Sequence, residues 1–190
     1  MKPGHILTAA LSLTVLFILS GAGKYSSSAS GNFDEGDTIR IGNQVWMKHN
    51  LSIPMPKSWF YENDSASNAT NGRLYYYSNA IAACPVGWHL PSNAEWQQLI
   101  DFLGGDSVAG AKLKPGGGSG LDLPLPGYKS ANSPNDLFGK KNELGFYWSS
   151  TIMGEQTAYA RGLDAKKNSV EINYYRRANG FSVRLVKNVD

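Results

Sequence analysis

The chain has 190 residues, 42% hydrophobic and 17% charged, with a formal net charge of +3. That balance excludes a disordered polyelectrolyte, and without a dense Lys/Arg run it gives no support to nucleic-acid binding. One cysteine excludes an internal disulfide, and three histidines leave few ligands for a zinc site.

Lys2 and His5 precede an apolar run over residues 6–19. The run matches a signal-peptide core and falls short of an ordinary membrane span. Ser20-Gly21-Ala22 offers small residues for cleavage, so residues 1–22 read as a signal peptide, with an uncleaved anchor as the competing reading. Ala22 stands where a lipoprotein signal would carry its lipidated cysteine, so no lipid anchor is expected. Residues 23–32 are a Ser-rich tether with too little apolar surface to fold. Residues 33–190 suffice for one domain with a core. The expected location is secreted, periplasmic or cell-surface, with no membrane span left after cleavage.

Residues 38–47 (TIRIGNQVWM) alternate apolar and polar on both sides of Gly42-Asn43, which predicts a hairpin. Residues 62–72 form a polar loop without periodicity, and its Asn68-Ala69-Thr70 is a weak glycosylation triplet. Residues 73–77 read as a short aromatic strand or turn and 78–83 as a helical turn.

Residues 84–105 (CPVGWHLPSNAEWQQLIDFLGG) hold the only cysteine, a histidine and two tryptophans. Ser92 and Glu95 have capping-box spacing. Trp96, Leu99, Ile100 and Leu103 follow as one apolar stripe, and Gly104 suits a helix end, so a helix is predicted over residues 93–103. Cys84 and His89 are reactive residue types. Yet a thiol nucleophile needs a base, an orienting group and an oxyanion hole, and no cysteine-protease signature surrounds them. The structural reading, the opening of a helix, is preferred.

Residues 110–120 (GAKLKPGGGSG) lack the Lys-Ser/Thr of a phosphate cradle and read as a flexible loop. Residues 121–131 should be extended and turn-rich. Four strands are predicted at 146–151, 157–163, 170–175 and 181–187. In the last, Phe181, Val183 and Leu185 alternate with Ser182 and Arg184, which predicts one buried face. The order is that of an α+β fold of short antiparallel strands with one well-capped helix and long loops.

IGNQVWMKHNL, GRLYYYSNA, CPVGWHLPSNAEWQQLIDFLGG, GFYWSST and NGFSVRLVK together resemble the successive motifs of the Fibrobacter succinogenes major paralogous domain. The resemblance implies a C-type-lectin-like fold, similar also to formylglycine-generating enzymes, on an exported bacterial protein. The family often carries a second cysteine in the last strand, where this chain has Leu185, so the family disulfide does not transfer. The resemblance to C-type lectins implies a calcium site, but Ser133-Pro134-Asn135-Asp136 and Trp148-Ser149-Ser150 lack the needed carboxylates. No metal or cofactor is expected.

Three readings compete. The preferred one is a non-catalytic lectin-like module that binds a glycan or protein ligand at the cell surface. Trp148, Tyr159, Arg161, Asn173, Tyr175 and Arg177 would form its surface of aromatic platforms and donors. Against this, Trp148 suits a core better than a surface, and Tyr174 and Tyr175 should face opposite sides. The second reading is a structural envelope component, and the last a hydrolase, for which no carboxylate pair is evident. Oligomeric state is left open.

Overall fold

The computed structural model describes residues 35–131 and 137–187. The expected signal peptide, the tether, and Ser133-Pro134-Asn135-Asp136 lie outside the described residues. The architecture is mixed α/β, mostly small antiparallel sheets with few helices.

In chain order the elements are β1 (Thr38–Ile41), β2 (Gln44–Met47), β3 (Ser58–Trp59), β4 (Leu74–Tyr75), α1 (Tyr77–Ala82) and β5 (Trp88–His89). Then come α2 (Asn93–Phe102), α3 (Asp106–Leu113), β6 (Tyr128–Lys129), β7 (Phe138–Gly139), β8 (Leu144–Gly154), β9 (Thr157–Asp164), β10 (Val170–Arg176) and β11 (Val186–Lys187). β1 and β2 form the expected hairpin, with Gly42 at φ +57° supplying the left-handed turn. They continue into a four-stranded sheet of order β1-β2-β11-β5. A second sheet has the order β10-β9-β8, all antiparallel.

The register of this second sheet organises the molecule. Paired residues on neighbouring antiparallel strands point to the same face. Tyr147, Arg161 and Ile172 therefore share one face, as do Leu163 with Val170 and Tyr159 with Tyr174. Trp148, Ala160 and Asn173, and Ala158 with Tyr175, share the other. The first face packs Tyr147, Leu163 and Val170 against Trp96, Leu99, Ile100 and Leu113 of the helices. The second packs Trp148, Ala158 and Ala160 against Tyr75, Tyr77, Phe181 and Leu185. Each fully buried large apolar side chain contributes roughly 1.5–3 kcal/mol.

α2 starts as predicted. Ser92 Oγ accepts from the Glu95 N–H, and Glu95 Oε2 accepts from the Ser92 N–H at 2.8 Å. The helix ends one residue before the predicted end, with Leu103 as its cap and Gly104 at φ +106° behind it.

Three expectations change. Residues 106–113 form a second helix, α3, which the sequence reading missed. Its N-cap is Gly105, with no side-chain cap to announce it. Gly110 sits inside that helix because a Cβ there would collide with the Ser169 carbonyl. The glycine-rich segment behind α3 is a fixed turn: Gly117 and Ser119 donate to the Lys114 and Lys112 carbonyls. Finally, residues 181–186 are buried on both faces, with regular strand only at Val186–Lys187. Ser182 and Arg184, predicted to face water, are enclosed with their neighbours. Arg184 is tolerated there because it donates to Asn50, Met47 and Leu121.

Candidate binding surface

His89 and Cys84 bond to different groups, Glu95 and the Ala80 carbonyl. His89 Nε2 lies 2.6 Å from Glu95 Oε1, so the ring extends the capping box. Burial pushes the Glu95 carboxyl up, but bonds from the Ser92 N–H, His89 and the Ser92 hydroxyl outweigh it and hold the carboxyl below its ordinary value. Burial pushes the Cys84 thiol up to about 11, against an opposing backbone bond at Leu90. Its Sγ bonds the Ala80 carbonyl at 3.3 Å. A thiol so protonated is a poor nucleophile. Among the described residues no group of three His, Cys, Asp or Glu side chains is placed to hold a metal.

The six residues expected to form one binding surface are divided by the sheet. Tyr159 and Arg161 point to the helix side, whereas Trp148, Asn173 and Tyr175 point to the other. The joint surface is therefore not formed. Trp148 is 0% exposed: its Nε1 donates to the Tyr75 carbonyl at 2.8 Å and its ring packs on Phe181 at 4.5 Å. It is core, the placement that the competing reading favoured. Tyr175 is half-buried against Phe146 and Phe181, with ring centroids 5.3 and 5.1 Å away.

Arg161 is the second correction, at 2% exposed. The start of α2 closes over it, and Nη2 donates to the Asn93 carbonyl at 3.1 Å. Nε and Nη1 are buried without a protein partner. Burial pulls the pKa of this guanidinium down, with the Asp106 and Asp101 charges opposing. Asn173 is exposed but turned onto its own chain, its Oδ1 accepting from the Tyr174 N–H at 2.9 Å. Arg177 is half-buried, 4.6 Å from the centre of the Tyr77 ring, and Nη1 donates to the Glu155 carbonyl. It lines a cavity of about 420 Å³ with Ser78, Glu155, Gln156 and Arg176.

A different group of residues is displayed together. On the helix-facing side, beyond Arg161, Ile172 is 49% and Tyr174 52% exposed. Half-buried Tyr159 meets Tyr174 edge-on at 6.3 Å, and its hydroxyl donates to Met153 Sδ at 3.0 Å. Met153 is also more than half exposed. Arg176, exposed on the same strand face as Tyr174, carries this strip into the Arg177 cavity. The strip offers apolar area at low entropy cost with guanidinium donors at one end. Of the six expected residues, Tyr159 lies within the strip and Arg177 lines the cavity at its end. Tyr174 was legible as one of a pair facing opposite ways, but only the pairing with β9 shows which of the two is displayed.

The Asn68-Ala69-Thr70 triplet is structural. Asn68 is buried, and its Nδ2 donates to the Tyr61 and Asp64 carbonyls. Among the described residues no helix is long and apolar enough to cross a membrane.

A search of curated proteins and one of solved structures return no match. The family model of the Fibrobacter succinogenes major domain matches residues 39–187, from β1 through β11. That span holds the hairpin, the capped helix, both cores and the exposed strip, and the chain belongs to the Fibrobacter succinogenes major domain family.

Proposed function

We propose that this protein is an exported, non-catalytic binding module of C-type-lectin-like architecture that takes a glycan or protein ligand on the exposed strip of β8–β10. The observation that carries this reading is the cluster of Met153, Tyr159, Ile172 and Tyr174. It places apolar side chains in water on one half of a sheet face whose other half is sealed by helices. Such a surface is costly to leave bare unless a partner covers it. The protonated Cys84 and the capping role of His89 favour a binding role over chemistry.

The aliphatic members, Met153 and Ile172, favour a protein ligand or an assembly contact as the second reading, because sugar rings are held chiefly by flat aromatic faces. The test is a glycan array and an envelope-extract pull-down run in parallel. Wild type is set beside Tyr159→Ala/Tyr174→Ala. Signal on either assay that the variant loses supports the strip as the site. Equal signal from both chains moves the site elsewhere. Self-association of wild type abolished by the variant selects the assembly reading.

A further inference from the structure

A cavity of about 340 Å³, sharing no residue with the exposed strip, is lined by Lys48, His49, Thr70, Asn71, Asp122 and Arg184. Its volume lies at the small end of the range for small-molecule sites. The floor is rigidly built. Arg184 is 1% exposed; Nε donates to Asn50 Oδ1, and Nη1 to the Met47 and Leu121 carbonyls, each at 3.0 Å. None of those three acceptors takes Nη2, and Arg184 lines the cavity. Burial pulls the Arg184 pKa down to about 10, with Tyr147 and Asp122 opposing, so the group stays charged at neutral pH. Asn50 joins floor to wall, because its Nδ2 donates to the Asn71 carbonyl at 2.9 Å.

The walls carry two kinds of chemistry. Lys48 and Arg184 bring two cations, and Lys48 Nζ is held by the Gly36 carbonyl at 3.0 Å. Asp122 brings the one carboxylate, and its Oδ1 accepts from the Gly116 N–H at 3.1 Å. Asp122 is held at φ +45°, a strained conformation for a residue with a Cβ, and one that turns up at functional sites. Thr70 and Asn71 add a hydroxyl and an amide. An excess of cation over carboxylate selects an anionic group, while Asp122, Thr70 and Asn71 suit hydroxyls.

We propose that this cavity binds an acidic monosaccharide of the uronic-acid kind, with its carboxylate at Arg184 Nη2 and Lys48 and its hydroxyls at Asp122, Thr70 and Asn71. The site is independent of the strip and stands or falls apart from it. The test is calorimetric titration of the full chain with glucuronate, galacturonate, glucose and acetate at low and high salt. A uronate should bind at least about tenfold more tightly than either glucose or acetate, and salt should weaken it.

Lys48→Ala/His49→Ala should weaken the uronate at least about tenfold and leave glucose unchanged. Asp122→Gly relieves the strained backbone, so it folds, and it should weaken the uronate while leaving acetate unchanged. Absence of uronate binding, equal binding of glucose, or variants that bind the uronate like wild type would each overturn the proposal.

Discussion

Along β9, Leu163, Arg161 and Tyr159 point to the same face of one sheet, yet they meet three surroundings. Leu163 is sealed in the apolar core under α2 and α3. Arg161 lies at the seam, closed over by the first residue of α2. Tyr159 lies beyond it, beside exposed Tyr174 and Met153. Strand alternation decides which face a side chain takes; how far a helix reaches across that face decides whether the side chain is structural or displayed. Three alternate residues of one strand thus pass from core to candidate binding surface.

The largest effect should come from breaking the covered half. Leu163→Ala should cost about 2–5 kcal/mol, read as a lowered midpoint in denaturant titration, because the helices cannot collapse onto the space left. At the seam the sign differs. Arg161→Met removes a buried guanidinium with two partnerless nitrogens. Stability should be unchanged or higher, by up to about 4 kcal/mol. A clear loss would mean that Asp101 or Asp106 engages Arg161 in solution. On the open half, Tyr174→Ala should change stability by only about 0.5 kcal/mol while reducing ligand capture.

Smaller still is the acid response of the helix that does the covering. The folded pKa of Glu95 lies below its unfolded value. The unfolded chain therefore binds its proton first as pH falls, and the stability Glu95 contributes is present above the unfolded value and lost as pH drops through the folded one. Glu95→Gln should flatten that part of the stability profile between about pH 5 and the folded pKa. Cys84 offers the mildest probe: with its thiol near 11, it should react with a thiol reagent far more slowly at pH 7 than a free cysteine, and speed up on unfolding.

The covered half was largely legible in the sequence because its signals are local. Ser92 and Glu95 announce α2 by spacing, and Gly42-Asn43 announces the hairpin. The strands β8 to β10 show as runs rich in aromatic and β-branched residues. What escaped depends on contacts distant in the chain. α3 has a glycine N-cap, and of its buried residues, Ala109, Gly110 and Leu113, only Leu113 is large, so no apolar stripe stands out. The alternation in residues 181–186 suggested a half-exposed strand, but three remote acceptors allow Arg184 to be buried. The candidate site was missed most because it depends on register. Arg161 and Tyr159 share a face with Ile172 and Tyr174, and nothing local pairs those residues across β9 and β10.

The most direct test of the division between covered and open halves is a paired measurement on Ile172→Ser/Tyr174→Ala. Thermal unfolding is recorded beside capture of ligand on the array and from envelope extract. An unfolding midpoint close to wild type together with lost capture is the predicted result. A large fall in the midpoint, or capture equal to wild type, would contradict the claim that the open half is displayed for recognition.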